Sequence, residues 1–517
     1  MTDALVLANG GAAALDKLPR LGIGALTAWI TRAVAQGRRV SALLAYPLGE
    51  RLCLIGVLAN DTDGVLELAA AELERSADGG ASFPSMTPAC PEVHLFEREI
   101  AEQWGARPLG HPWLKPVRFQ PPRRGGGPSA SPIGVTDFYR IEGDEVHEVA
   151  VGPVHAGVIE PGHFRFQCHG ENVMHLEISL GYQHRGVERA LVELRSGDRT
   201  STGRDAGVPG PRAIHYAETL AGDTTIGHAT AYCAAVEALS GTRVPPRALA
   251  LRAVALELER LANHVGDLGA LANDVAFLPT AAYCGRLRGD YLNLTAELCG
   301  SRFGRGMVRV GRVGFDVTDA RVEEMLARLD AAARDTETAA RLLWETASVQ
   351  ARFEDTGRVA TDLARTLGLV GVAARASGLS RDVRKSHPAG YYRFAHVPMS
   401  TWTSGDVFGR AYVRGLEIRR SIDFIRTVLR TLPGGAIAKP PKLARAGHLA
   451  VSMVEGWRGE ICHVAITDDA GRLAAYKIVD PSFHNWTGLA MALRDQQISD
   501  FPLCNKSFNL SYCGHDL

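Results

Sequence analysis

The run Gln120-Pro-Pro-Arg-Arg-Gly-Gly-Gly-Pro-Ser-Ala-Ser-Pro132 constrains this 517-residue chain more than any other segment. Proline, glycine and serine at that density cannot bury a core, so the run reads as an exposed linker. It divides the chain into residues 1–119, the linker 120–132, and residues 133–517. In the first unit, Leu26, Trp29, Ile30 and Val34 recur at helical spacing within residues 22–37. Two apolar runs, 40–48 and 52–58, flank Gly49-Glu50 and read as a hairpin, and a second helix is expected over 91–104. That is an α/β pattern.

Beyond the linker, residues 135–180 are expected to be β-rich. Phe164, Phe166 and Cys168 alternate, Gly170-Glu171-Asn172 turns, and Val173, Leu176, Ile178 and Leu180 continue. From about residue 212 the pattern becomes mainly helical. Residues 249–276 are long and apolar, and Val322, Met325, Leu326, Leu329 and Ala333 form one stripe. The expected fold class is α+β: an α/β unit, a β-rich entry, then a long helical bundle. A 46% apolar and 22% charged composition excludes a disordered or fibrous chain. The 57 basic and 57 acidic residues cancel, which gives nucleic acid no electrostatic foothold. No apolar run approaches the roughly 18 residues of a membrane span, and MTDALVLANG lacks the basic flank of a secretory signal. The expected location is the cytoplasm.

Nine cysteines are scattered so that no CxxC occurs. An odd count without a signal argues against a disulfide framework, and the spacing supplies neither a dense thiolate metal site nor a redox pair. Nucleotide loops are missing as well: there is no G-x-x-x-x-G-K-[ST], and Gly22-Ile-Gly24 lacks its third glycine. His147, His155, His163, His169, His175 and His184 cluster without a helical ligand spacing, so alternating strands are expected to spread them over two faces. Two runs stand out: Gly152-Pro-Val-His155 followed by Glu160-Pro161, and Gly181-Tyr-Gln-His184-Arg185-Gly186-Val-Glu188. A Glu or His between apolar walls has a shifted pKa and can pass protons; a salt-bridged turn is the alternative reading.

Further pieces carry a family resemblance. Phe96-Glu-Arg-Glu-Ile-Ala-Glu-Gln-Trp-Gly105 and Gly110-His-Pro-Trp-Leu-Lys115 resemble the signature of the 30-kDa subunit of respiratory complex I. The two runs above resemble the complex I 49-kDa subunit and, through it, the NiFe-hydrogenase large subunit. So do Glu259-Arg-Leu-Ala-Asn-His264, Arg375-Ala-Ser-Gly378, Asp382-Val-Arg-Lys385, Gly405-Asp-Val-Phe-Gly-Arg410 and Pro481-Ser-Phe-His-Asn485. The chain resembles a fusion of the two subunits, as in the large subunit of membrane-bound, formate-hydrogenlyase-type (group 4) NiFe hydrogenases.

The resemblance implies a 30-kDa-type α/β domain over 1–119 and a large-subunit/49-kDa-type domain over 133–517. It also implies four positions where a hydrogenase holds nickel and iron through two CxxC pairs. These fall on Ala221, Thr224, Ser511 and Gly514, none a cysteine, although Cys504 and Cys513 lie near. Soft thiolates suit nickel, so nickel is not expected. In complex I the same cavity serves quinone, but its tyrosine would align near Gly222 or Asp223 and is missing. The implied site residues are Glu160 as proton conduit, His155, Asp223, His228, Arg185 and Arg384. Quinone is the implied acceptor class, with iron–sulfur clusters carried by a partner and no cofactor assigned to this chain; in complex I the NADH site lies on another chain. The implied partners are a 20-kDa-like iron–sulfur subunit and antiporter-like membrane-arm subunits, through which the chain would attach to the cytoplasmic face of the membrane. A non-catalytic scaffold and a nickel hydrogenase with unusual ligands are the alternatives.

Overall fold

The computed structural model describes residues 4–74, 80–123, 131–155, 159–194 and 212–517. Near the start, helix Ile23–Ala35 buries Leu26, Trp29, Ile30 and Ala33 against a mostly antiparallel sheet. The sheet runs in the order Leu5–Leu7, Val65–Leu73, Arg51–Asn60, Arg39–Leu48, with Arg20–Leu21 parallel to Val65–Leu73. Gly56 makes the close packing feasible, because a Cβ there would sit 3.0 Å from the Ile30 side chain. The expected second helix is a 3-10 turn, Pro91–Val93, running into helix His94–Trp104.

The β-rich entry is a three-stranded antiparallel sheet of Val146–Val151, His163–His169 and Asn172–Ser179, with Phe164, Phe166 and Cys168 buried on one face. Long helices follow. Pro246–Asp274 packs against Leu278–Cys299 and Val407–Arg430, and Asp319–Glu345 buries Val322, Met325 and Leu329 of the expected stripe.

Two expectations need correction. A four-stranded antiparallel sheet, absent from the periodicity reading, lies at the centre: Leu473–Val479, Glu460–Thr467, His448–Glu455 and Gly11–Ala14. Leu449, Val451, Cys462 and Val464 face the N-terminal core, while Ala450, Val454, Ile461 and Ala465 face the bundle core. With both faces buried, its strands lose the polar/apolar alternation that marks a half-exposed strand. Secondly, the cut at 119 separates chain segments but not cores. Gly11–Ala14 pairs with His448–Val451, and one hydrophobic cluster joins the first 117 residues to the central sheet. The linker is also anchored where it starts: Gln120 is 7% exposed and Arg123 pairs with Glu188 at 2.9 Å. Residues 124–130 of it lie outside the described residues. No described helix is long and apolar enough to cross a membrane.

Candidate active site

Several segments distant in sequence meet near the N-terminal end of helix Thr225–Ser240. Thr224 precedes this helix without capping it, and Glu259 from the neighbouring helix takes over. Its carboxyl accepts the Ile226 N–H at 2.6 Å and the Gly227 N–H at 3.1 Å. Burial pushes the Glu259 carboxyl up to about 8, against those two hydrogen bonds, and the nearby Asp223 adds to the rise.

The sign of the consequence is fixed. The folded protein holds a proton on Glu259 that the unfolded chain releases near 4.5, so stability falls as pH rises from there to about 8 and levels off above. Glu259→Gln is expected to flatten that interval in urea-unfolding curves. An unchanged slope would mean that Glu259 is ionised in the fold.

Asp223 is held in a double-headed ion pair by Arg458, at 2.7 and 2.8 Å, and its carbonyl accepts from Asn263 at 3.0 Å and the Trp457 indole at 3.1 Å. Arg458 sits on a turn that only glycines permit. A Cβ on Gly371, whose φ is +64°, would lie 2.0 Å from the Arg458 carbonyl oxygen. Thr224 accepts the Trp457 indole N–H at 3.1 Å, and Ala221 is fully buried.

From the other end of the chain, the Ser511 hydroxyl caps helix Tyr512–Asp516 by accepting the Gly514 N–H at 2.9 Å. Cys513 lies between Glu160, the Gly222 backbone and Ser511, with its sulfur 3.4 Å from the Ser511 oxygen. Burial and the Glu160 carboxylate push its thiol up to about 11, so it stays protonated at neutral pH. Glu160 also accepts the Tyr512 N–H at 3.3 Å.

The loop 181–187 clasps this end. Gly181 and Gln183 donate to the Asp516 carboxylate at 2.8 and 2.9 Å, and Arg185 and Val187 donate backbone N–H groups to Leu517. The Arg185 guanidinium reaches across to the carbonyls of Thr219 and Leu220, at 2.8 and 2.9 Å, and so ties the clasp to the turn before Ala221. The His155 ring nitrogen lies 3.1 Å from the Gly162 carbonyl, and the ring packs on Phe164.

His228 opens a buried hydrogen-bonded chain. Its Nε2 is 3.0 Å from Asp480, its Nδ1 is 3.2 Å from His463 Nε2, and His463 Nδ1 is 2.9 Å from the Tyr476 hydroxyl. Burial opposes charge on Asp480, yet His228 and Arg458 hold its carboxyl below the ordinary range. Burial also drives His463 well below the usual imidazole range, so it is neutral. One directional assignment satisfies every donor: Tyr476 O–H to His463, His463 N–H to His228, His228 N–H to Asp480.

Arg384 is not brought to this site. It pairs with Asp382 at 2.6 Å and Glu257 at 3.1 Å, in a buried cluster with Arg260, Arg375, Glu417 and Glu455. Of the other five expected residues, Asp223 and His228 flank the start of helix Thr225–Ser240, Glu160 meets Tyr512 and Cys513, and Arg185 reaches Thr219 and Leu220, whereas His155 contacts Gly162 and Phe164. The clustered histidines of 147–184 divide among unrelated partners, among them Glu145 for His169 and the Asp516 carbonyl for His184. Residues missed by sequence reasoning are Arg458, His463, Tyr476 and Asp480. Only Asp480 left a signal, as the acidic cap before Pro481.

The four positions singled out by the resemblance, 221, 224, 511 and 514, carry a methyl, two hydroxyls engaged in hydrogen bonds, and a glycine. A Cβ on Gly514 would lie 2.7–3.0 Å from the Asp480 carboxyl atoms. Among the described residues, no group of three or more His, Cys, Asp or Glu could hold a metal ion.

Comparison with known proteins gives a consistent answer. Residues 274–446 match the family described as respiratory-chain NADH dehydrogenase, 49 Kd subunit. The chain is 28% identical over 445 residues to formate hydrogenlyase subunit 5 of Escherichia coli strain K12, covering 83% of this chain and 76% of that protein. It is 29% identical to the carbon monoxide-induced hydrogenase of Rhodospirillum rubrum, covering 70% of this chain and 97% of that one. It is 30% identical to the D-type NADH-quinone oxidoreductase subunit of Akkermansia muciniphila, over 57% of this chain and 67% of that protein.

Proposed function

Because the chain belongs to the family of the NADH dehydrogenase 49-kDa subunit and the related group 4 hydrogenase large subunits, we propose that it is the large peripheral-arm subunit of a hydrogenase-related oxidoreductase complex that works without a NiFe centre. Electrons reach it from an iron–sulfur cluster on a small, 20-kDa-like partner and pass to an acceptor of the quinone class. Attached at the cytoplasmic face of the membrane, it works with antiporter-like membrane-arm subunits that couple the transfer to proton or ion movement. Residues 1–119 serve as the 30-kDa-like part of the same arm.

The observation that supports this reading is a set of carboxyl, imidazole and phenol groups at a site that carries no thiolate at positions 221, 224, 511 and 514. Glu160 touches the Cys513 thiol and the Tyr512 backbone, and the Asp480–His228–His463–Tyr476 chain begins behind Gly514. Thiolate chemistry for nickel fails on this donor set: the four positions offer no sulfur, and the one nearby thiol is kept protonated beside a carboxylate. In this reading Glu160, beside the Cys513 thiol, is the proton conduit. Arg185 positions the turn that carries Asp223.

The test is the native complex, purified, analysed for nickel and iron, and assayed with quinones, formate and hydrogen. Stoichiometric nickel would overturn the reading. Glu160→Gln is expected to lower quinone reduction by about 10²-fold or more, the scale of a lost general acid or base. Unchanged turnover would remove Glu160 from the proton path and favour a scaffold role.

A further inference from the structure

A cavity of about 280 Å³ opens where helix His94–Trp104, residues 113–119, strand Asn172–Ser179 and helix Pro481–Ala492 meet. That volume stands at the lower edge of the roughly 300–1,000 Å³ that small-molecule sites occupy. We infer that it binds a small aromatic monocarboxylate, with the carboxylate on the Arg98 guanidinium and the ring against Trp113 and Tyr139.

Arg98 sets the charge of the ligand. It lies in the run Phe96–Gly105, to which the proposed function gives no chemical role. Its Nε and Nη2 donate to the carbonyls of Lys115 and Pro116 at 2.9 and 2.8 Å. Those two donations use one edge of the guanidinium. The Nη1–Nη2 edge remains, and Nη1 has no hydrogen-bond partner among the described residues. The side chain is half-buried on the cavity lining, and Nη1 is not among the unpaired atoms sealed inside the protein. That edge can take both oxygens of a carboxylate.

The carboxylates whose fields reach Arg98 are engaged with other groups. Glu102 accepts the N–H groups of Val117, Arg118 and Gln120 at 3.3, 3.1 and 3.1 Å. Glu177 is held by Lys115 and by the Tyr139 N–H at 2.8 Å. Burial therefore outweighs them and pushes the Arg98 guanidinium down to about 10, still charged at neutral pH. His94, His175 and His515, also on the lining, are held below the usual imidazole range by burial and bring no charge. Lys115 and Glu177 cancel, and Arg494 stands exposed in water. One negative charge thus matches the one half-buried cation on the lining that lacks a counter-ion. A dianion would have to desolvate a second charge with no buried cation left to pair it.

The walls set the rest of the ligand. Trp113 and Tyr139 meet edge to face at 6.1 Å, and His175 continues the run 4.8 Å from Tyr139. Trp113 is 44% and Tyr139 45% exposed, so both rings keep surface that an entering molecule can cover. Leu176, Leu180 and Met491 add apolar lining. A flat ring gains area and edge-to-face contact against such a wall.

The experiment is equilibrium dialysis of the full chain against 2-naphthoate and against 2-naphthamide, its uncharged isostere, with bound ligand read by ultraviolet absorbance. Naphthoate is expected to bind one-to-one and about tenfold or more tighter than the amide, the scale of a charge-assisted pair. Arg98→Gln is expected to reduce that preference to below about threefold. Because Arg98 also holds two carbonyls, thermal unfolding of the variant is recorded alongside. No saturable binding at millimolar naphthoate, a preference below about threefold in the native chain, or a preference that survives in folded Arg98→Gln would overturn the assignment. Should Arg98→Gln not fold, Trp113→Ala decides: its ring is half in solvent, and its loss is expected to weaken naphthoate by about fivefold or more, a smaller effect overturning the site. None of these readouts depends on quinone reduction or on Glu160.

Discussion

Glu417→Leu is expected to destabilise the protein by about 3–5 kcal/mol, the scale of stripping one partner from a buried ion cluster. Glu417, on helix Val407–Arg430, receives Arg375 at 2.9 Å, His264 at 3.0 Å and Arg260, all fully buried. Burial opposes its charge, yet Arg375 and Arg260 hold the carboxyl well below its usual range. Leucine matches the volume but leaves two guanidinium groups facing each other in a medium that cannot solvate them. A second substitution, Arg260→Met, is expected to return part of the loss, because it removes one of the positive charges left in excess, although Arg260 keeps Glu257 at 3.3 Å. Chemical unfolding of the single and double variants measures both. A single-variant loss below about 1 kcal/mol would show that water reaches the cluster, since exposed pairs contribute no more than that.

Reinstalling cysteine at 221, 224, 511 and 514 is expected to cost stability without restoring nickel. At Gly514 the added Cβ would press on Asp480 at 2.7–3.0 Å, and Asp480 is fixed by His228 and by the Ser482 N–H it caps. Overpacking of that kind costs about 1–3 kcal/mol. Ser511→Cys further weakens the hydroxyl cap on Gly514, worth about 0.5–2 kcal/mol. The measurement is thermal unfolding of Gly514→Cys, followed by nickel analysis of the four-cysteine variant. Pairing Gly514→Cys with Asp480→Ala is expected to recover the packing part of the loss. Stoichiometric nickel in the four-cysteine variant would show instead that the helix at the chain end can shift to open the site.

Local signals carry much of the fold. The helical spacing of Leu26, Trp29 and Ile30 and the turn at Gly49 report contacts within a few residues, and the structure places Ile23–Ala35 and the Arg39–Asn60 hairpin accordingly. The runs around Glu160 and Arg185 are recognisable as motifs, and they do converge with Asp223. The central sheet is not recognisable, because burial on both faces erases the alternation in His448–Glu455 and Glu460–Thr467. His463 and Tyr476 are hidden with it.

By its sequence alone this chain determines which helices form, which short motifs it carries, and that no thiolate stands at 221, 224, 511 or 514. Those are properties of side-chain identity and of spacing within a few turns. Only the tertiary structure decides that His228 meets His463 across 235 positions, that Arg384 leaves the expected site for Glu257, and that Gly514 has no room for a side chain. Each of these depends on which buried charges and packed backbones face each other. That is settled by the balance of desolvation against pairing in the folded interior, which no local pattern encodes.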